Sequence, residues 1–353
     1  MDVSRSEAEG TTCRGGSPSV SIVIPCYNEE RYIGPCLDSI LASNYPQDRL
    51  EVLVVDGMST DATRAIVEDY GSRNSMVRLI DNPDRIKPKA LNVGIQTATG
   101  EFVIRMDAHA LYDPEYVRLS VRYMDEYSAD NVGGIRRTLA SGDTIWAKAI
   151  GISISHKFAA GNASYRTGAT EPKWVDTVFG GCYRRSTFDE IGLFDEELIR
   201  GQDREFNIRL ERHGGKILLA PDILCDYYAR GTMPEFVRWT YVGGMTPFYI
   251  SRITGQKLYS LRNLVPITFV ISLVVLFVLS WFSGWLALLL AVEVAMYLGA
   301  ALAAAIQVAR QEKAPRLVLV MPIIFAMTHV IYGVGSLVGL VKPIRRQQVW
   351  SKV

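Results

Sequence analysis

The residues best placed to do chemistry are carboxylates and one imidazole that follow short apolar runs. Asp107-Ala-His109 comes directly after Glu101-Phe-Val-Ile-Arg-Met106. An Asp oxygen and an imidazole nitrogen on so tight a turn can hold Mg2+ or Mn2+ and leave positions open for diphosphate oxygens. D-x-H recurs by chance, so its place at a strand end is what gives it weight. Asp203, in Gly201-Gln202-Asp203, opens an amphipathic stretch running to Leu210. It caps that helix or faces a cleft as a general base, and the two roles are compatible. Asp56 closes Glu51-Val-Leu-Val-Val-Asp56 and precedes Gly57. Its carboxylate can accept hydrogen bonds from a ribose or a base edge. The alternative is a helix cap, which Ser59 or Asp61 fills more naturally. One cation on a departing diphosphate and one base for an incoming hydroxyl suffice for group transfer, because such a leaving group needs no protonation. A hydrolase acting on an oxygen-linked leaving group needs a second carboxylate as its acid.

These groups have to be carried by regular elements. Val20 to Pro25 is a short β-branched run, and a helical pattern from about Gly34 to Ala42 follows, with Pro35 fitting only its first turn. Strands are expected over 51–56, 77–80 and 101–106, with helices from Ser59 to about Arg73 and from Ala90 to Ala98. Alternation of this kind implies a mainly parallel sheet flanked by helices, with ligands at the carboxyl ends of the strands. Pro25-Cys-Tyr-Asn-Glu29, the 56–61 segment and Asp107-Ala-His109 all fall at such ends.

The 353 residues carry 38 Lys and Arg against 37 Asp and Glu, a balance that gives no support to a nucleic-acid partner. Five scattered cysteines, Cys13, Cys26, Cys36, Cys182 and Cys225, lack metal spacing and fit reduced thiols in a cytosolic catalytic part. Residues 1–19 are polar and are expected to be a disordered leader. Charge thins after Asn263. Leu264 to Val308 is long enough for two spans of ~20 residues, with Ser280, Ser283 and Gly284 at their turn. A basic stretch (Arg310, Lys313, Arg316) precedes a third apolar run, Leu317 to Leu340. Glu293 and His329 are the ionisable side chains deep in these runs, and pairing with each other or with a lipid headgroup would satisfy them. A cytosolic catalytic part and three spans place the basic loop inside, as its charge favours, but put Lys342, Arg345, Arg346 and Lys352 outside.

The run from Val20 to about Gly244 resembles the family 2 glycosyltransferases. Val20-Ser-Ile-Val-Ile-Pro-Cys-Tyr-Asn-Glu-Glu30 matches the family's opening strand, Val54-Val-Asp-Gly-Met-Ser-Thr-Asp61 its second acidic motif, and Lys89-Ala-Leu-Asn92 the segment before the metal motif. Phe179 to Ser186 with Ile191 to Asp195 resembles the acceptor-side stretch, and Gln202-Asp203 the base motif. The resemblance implies the glycosyltransferase-A fold, a Rossmann-like mixed and mainly parallel sheet flanked by helices, followed here by an α-helical transmembrane region. It implies that Pro25, Tyr27, Glu29, Asp56, Lys89 and Asp107 border the nucleotide-sugar and that Asp107 and His109 hold the metal. It also implies that Asp203 is the base and that Gly180, Gly181, Gln202, Arg238 and Trp239 lie on the acceptor side. Two departures stand out. His109 replaces the second Asp of D-x-D, and Glu235-Phe-Val-Arg238-Trp239 replaces Q-x-x-R-W of the processive members.

The layout is most similar to exopolysaccharide and lipid-linked oligosaccharide transferases of the succinoglycan-assembly type. The expected organisation is a catalytic domain over 20–232, an interfacial helical linker over 233–263, about three spans over 264–341 and a basic tail over 342–353. Aromatic and basic side chains of the linker suit a helix at the membrane surface; packing on the catalytic domain is the alternative. The expected function is inverting transfer from a nucleotide-sugar, by resemblance a UDP-sugar, to a lipid-linked saccharide at the cytoplasmic membrane, with other glycan-assembly proteins as possible partners. The alternatives are a processive polysaccharide synthase, a polyprenyl-phosphate glycosyltransferase, and an inert binding protein on the same fold. Three spans are few for a polymer channel, and intact Asp56, Asp107 and Asp203 argue against the last.

Overall fold

The computed structural model describes residues 16–161, 163–198, 200–229 and 231–343. Most of the expected leader, with Cys13, lies outside them, as does the basic tail beyond Pro343. The described residues form two compact units, one of residues 16–137 with Gly168–Tyr227, the other of Thr138–Thr167 with residues 228–343.

In chain order the first unit supplies β1 (Val20–Cys26), α1 (Ile33–Leu41), β2 (Leu50–Asp56), α2 (Thr63–Arg73), β3 (Val77–Asp81), α3 (Lys87–Thr97), β4 (Phe102–Arg105), β5 (Ala110–Tyr112), α4 (Tyr116–Glu126) and β6 (Asn131–Leu139). The helices α5 (Ile145–Ser155), α6 (Lys157–Ala160) and α7 (Ser164–Thr167) then belong to the second unit. The chain returns through β7 (Lys173–Trp174), β8 (Phe179–Arg184), α8 (Arg185–Ile191), α9 (Gln202–Arg212) and β9 (Ile217–Tyr228). One sheet runs β3-β2-β1-β4-β8-β6-β9-β5, with β7 on β9. The four strands from β3 to β4 are parallel and β8 is antiparallel to β4. Ile22, Val23 and Ile24 on β1 and Val52 to Val55 on β2 are fully buried. Helices cover both faces, which is why these strands are continuously apolar instead of alternating. Cys26, Cys36, Cys182 and Cys225 are buried free thiols.

Element starts differ from expectation where proline and glycine chemistry competes. α3 begins at Lys87, three residues before the expected Ala90, because Pro88 suits a first turn. α2 begins only at Thr63 and has no capping side chain at Ala62, since Ser59 is engaged elsewhere.

The second unit holds α10 (Met233–Thr254), α11 (Leu261–Leu279), α12 (Gly284–Gln311) and α13 (Leu317–Val341). The last three are long and apolar enough to cross a membrane. α10 buries a face on α13 through small residues. A Cβ on Gly335 would lie 2.2 Å from the Tyr241 carbonyl oxygen, and one on Gly339 2.4 Å from that of Met245. Backbone approach of this kind is how apolar helices associate where lipid offers no hydrophobic drive. The segment expected as a linker thus forms a helix packed on α13 within the helical unit. The expected boundary at 20–232 also differs. Ala149, Ile150 and Ile154 of α5 bury among Ala305, Val308, Met321 and Phe325, so 138–167 joins the spans. Glu293 and His329 do not pair. Ser272 donates to Glu293 at 2.5 Å, while His329 meets the Tyr297 hydroxyl at 2.8 Å and the Phe158 carbonyl at 2.9 Å.

Candidate active site

Two loops at the carboxyl ends of β1 and β2 are laced together. The Asn28 amide donates to Ser59 Oγ at 2.8 Å, and the Thr60 amide returns a bond to Asn28 Oδ1 at 2.9 Å. The Glu29 amide donates to Thr63 Oγ1 at 2.8 Å, and the Ala62 amide to Glu30 Oε2 at 2.9 Å. Asn28 and Met58 both adopt left-handed backbone, with φ of 53° and 59°. Asn tolerates that region and Met does not, so the lacing holds Met58 against a local cost of about 1 kcal/mol. Tyr27 is 47% exposed beside Gly57, whereas Asp56 is 0% exposed. Asp56 accepts from the Ser59 amide and hydroxyl and from Arg64, which also reaches Asp81 at 2.8 Å. Asp56 thus organises the loop from within, a position neither the ribose contact nor the helix cap anticipated.

The end of β4 carries the densest charge. Arg105, with only 7% of its side chain exposed, donates from one terminal nitrogen to Asp203 Oδ2 and from the other to Asp107 Oδ1, both at 3.0 Å. Lys87, at the start of α3, reaches the same Asp107 oxygen at 2.8 Å. Burial alone would raise the Asp107 carboxyl, but Lys87 and Arg105 hold it well below the usual carboxylate range. Asp203 lies in the first turn of α9 behind Gly201, whose φ is 80°. It makes no capping bond, and its Oδ1 is buried without a partner among the described residues. A sharp turn at Gly201 brings the start of α9 to Arg105 and Asp107.

His109 is enclosed. Nδ1 lies 2.9 Å from Glu29 Oε1 and Nε2 2.9 Å from the Tyr227 hydroxyl. Burial would lower its pKa, yet Tyr227 and Glu29 raise it to about 9, so at neutral pH it is an imidazolium donating from both nitrogens. Behind the cluster Gly180 has φ of 74°, and a Cβ there would sit 2.9 Å from the Tyr116 hydroxyl and 3.1 Å from the Arg105 carbonyl oxygen. Only glycine lets β8 lie so close behind Arg105.

Comparison with known proteins now bears on this geometry. The glycosyl transferase family 2 model matches residues 21–192. A Methanococcus voltae protein, dolichyl N-acetyl-alpha-D-glucosaminyl phosphate 3-beta-D-2,3-diacetamido-2,3-dideoxy-beta-D-glucuronosyltransferase, is 30% identical over 63% of this chain and 70% of its own length. The chain belongs to glycosyltransferase family 2. Succinoglycan biosynthesis protein ExoA of Rhizobium meliloti is 31% identical to this glycosyltransferase over 64% of the chain and 68% of the relative. The mannosyltransferase PcManGT of Pyrobaculum calidifontis, solved with GDP-Man and Mn2+, shares the fold at a TM-score of 0.56 and 20% identity, over 92% of this chain and 88% of that one. The curled sheet with flanking helices is therefore of the glycosyltransferase-A kind, followed by three long apolar helices.

The cation expected of such a transferase meets a mixed donor set. No group of three His, Cys, Asp or Glu side chains able to hold a metal is found among the described residues. Both His109 nitrogens are engaged, by Glu29 and Tyr227, so ligation there would require one of these contacts and a proton to give way to the ion. Asp107 fits, because Mg2+-type ions commonly use one or two carboxylates with substrate phosphates in place of an all-protein cage.

The structure gathers Glu29, Asp107, His109 and Asp203 in the first unit, with Pro25 on β1. Gly181 lies on β8, with φ of 112°, and Gln202 is buried at the start of α9. Lys89, expected to border the nucleotide-sugar, pairs with Asp84 at 2.7 Å, and Lys87 pairs with Asp107 at 2.8 Å. Arg238 and Trp239 lie on α10 in the second unit, where Arg166 stacks 5.6 Å from the Trp239 ring centroid. Glu235, where processive members carry Gln, accepts from the Thr232 amide at 3.3 Å, which closes the capping box of α10, and from the Thr232 hydroxyl at 2.8 Å. Sequence reasoning missed Lys87, Arg105 and Tyr227. Arg105 carried a signal, since it stands two residues before Asp107. Tyr227 carried none, because β9 pairs with β5 across more than a hundred residues of sequence.

Proposed function

We propose that the chain is an inverting transferase that moves a sugar from a nucleoside-diphosphate-sugar, by family resemblance a UDP-sugar, onto a lipid-linked saccharide. The observation that carries this reading is the single guanidinium of Arg105 gripping both Asp107 and Asp203. Asp107 and Lys87 form the donor end. Asp107 would hold the Mg2+ or Mn2+, and the ion, when bound, neutralises charge on the departing diphosphate. Lys87 adds a second positive charge within reach of the same oxygens. Tyr27, exposed at the mouth of the laced loops, offers a ring face to the nucleotide base.

Asp203 forms the acceptor end. Its buried, unpartnered Oδ1 takes the proton of the incoming hydroxyl, and that oxygen attacks the anomeric carbon from the side opposite the diphosphate. One displacement inverts the configuration. The three apolar helices and the relatives' printed names, a dolichyl N-acetylglucosaminyl phosphate glucuronosyltransferase and a succinoglycan biosynthesis protein, support a lipid-borne acceptor at the cytoplasmic membrane, with the sheet in the cytoplasm. Three spans are few for a polymer channel, which favours single addition over a processive synthase.

The test is Asp203→Asn. Its kcat should fall about 10²- to 10⁴-fold with donor affinity retained; turnover near wild type removes Asp203 from the base role. EDTA should stop the wild-type reaction and Mg2+ or Mn2+ restore it, and full activity in chelator would remove the cation.

A further inference from the structure

Arg105 is an expensive residue to keep. Its side chain is 7% exposed, its Nε is buried without a hydrogen-bond partner among the described residues, and Tyr183 and Tyr112 stand near it. Burying a guanidinium costs several kcal/mol unless its partners are well placed, and an apolar replacement of the whole set commonly holds a fold as well. The cluster balances: Lys87 and Arg105 against Asp107 and Asp203. Balance alone would be met by any buried cation. Arg differs from Lys in its rigid planar fork, which presents two nitrogens at a set separation to two acceptors. Here each prong takes a different carboxylate, from segments 98 residues apart in sequence.

We propose that Arg105 is a positioning residue that fixes the spacing between Asp107, at the donor end, and Asp203, at the acceptor end. The proposal rests on the assignment of Asp203 as the base. Three features of the fold hold the fork itself. β4 ends at Arg105, and Asp107 follows two residues on with its carboxylate within hydrogen-bond reach of that guanidinium. Lys87 pins the far side of Asp107. Gly180 lets β8 close against the Arg105 backbone. A base displaced by about 1 Å from the hydroxyl costs on the order of 100-fold in rate with little loss of ground-state binding.

The experiment uses the full chain in detergent, with the UDP-sugar that wild type hydrolyses fastest as donor and lipid-linked saccharides extracted from the source membranes as acceptor. Arg105→Lys keeps the charge but reaches one carboxylate at a time. The expected result is a kcat about 100-fold lower with a donor KM within about twofold of wild type. Sugar lost to water relative to sugar transferred should rise about tenfold, because water needs no fixed acceptor geometry. A purely structural role would lower the melting midpoint and leave that ratio alone. Arg105→Met tests whether the charge alone matters, and if it fails to fold the Lys variant still decides. A folded Arg105→Lys with wild-type kcat overturns the proposal, as does a fall in kcat and donor affinity together with an unchanged ratio. Asp203→Asn is run alongside. If it is inactive while Arg105→Lys is normal, only the positioning role is lost; if it turns over, the base assignment falls and the positioning role with it.

Discussion

Lys87 and Lys89 stand two residues apart and do different work. Lys87 bonds a buried carboxylate at 2.8 Å, whereas Lys89 pairs with the half-exposed Asp84, a contact of the kind that solvent screens. Lys87→Met should raise the donor KM about tenfold or more, the worth of one charge-assisted hydrogen bond, while Lys89→Met stays within about twofold. Steady-state kinetics on both variants checks this, and a larger effect at Lys89 would reverse the assignment. His109 makes a second residue-scale prediction through its charge. Its folded pKa of about 9 lies above the free value, so its contribution is complete below about pH 6.5 and is lost as pH rises through 9. The amount is at most about 3 kcal/mol. The melting midpoint should fall from pH 6.5 to 9.5 in wild type and fall less in His109→Gln; parallel curves would contradict the ion pair. The motif spelling showed where these side chains sit along the chain but not what each touches. Glu29 reaches His109, and Asp56 turns inward to Ser59 and Arg64, through loop lacing that no local pattern encodes.

At the scale of elements, the parallel strands were legible because burial on both faces makes them short, β-branched and continuous. Helix starts were less so, since Ser59 leaves the cap position to hold Asp56. The antiparallel half of the sheet, β5 to β9, is built from contacts distant in sequence, and period and composition do not report those. The glycines of α13 offered a pattern, Gly335-x-x-x-Gly339, whose meaning emerged only with α10 against it. Gly339→Leu would drive a side chain into the Met245 backbone, so α10 must shift. Overpacking of this kind costs about 1–3 kcal/mol or more. The solubilised protein should melt at a lower temperature than wild type, and Gly299→Ala, with open space around its Cβ, should melt nearer to it. Equal midpoints would mean that α10 and α13 do not pack this closely.

At the scale of the molecule, long apolar runs announce their spans, and α11 to α13 fall close to where hydropathy put them. The assignment of 138–167 to the helical unit was not legible, because α5 reads as any short apolar helix until Ala305 and Phe325 are seen beside it. That segment bears on orientation. α5 has 11 residues, about half of what a crossing needs. Its Lys148 pairs with Glu312, in the loop between α12 and α13, at 2.9 Å. The positive charge of that loop favours the cytoplasmic side. A Lys313→Cys variant should resist a membrane-impermeant maleimide in intact cells and react once they are opened; labelling of intact cells would invert the topology. On the proposed function, a single carboxylate base drives a single displacement at a sugar carbon. The anomeric configuration of the transferred sugar, read by NMR against that of the donor, tests this most directly. Inversion is the predicted result, and a product with the donor's configuration would contradict the account, since retention demands a nucleophile to which no residue here has been assigned.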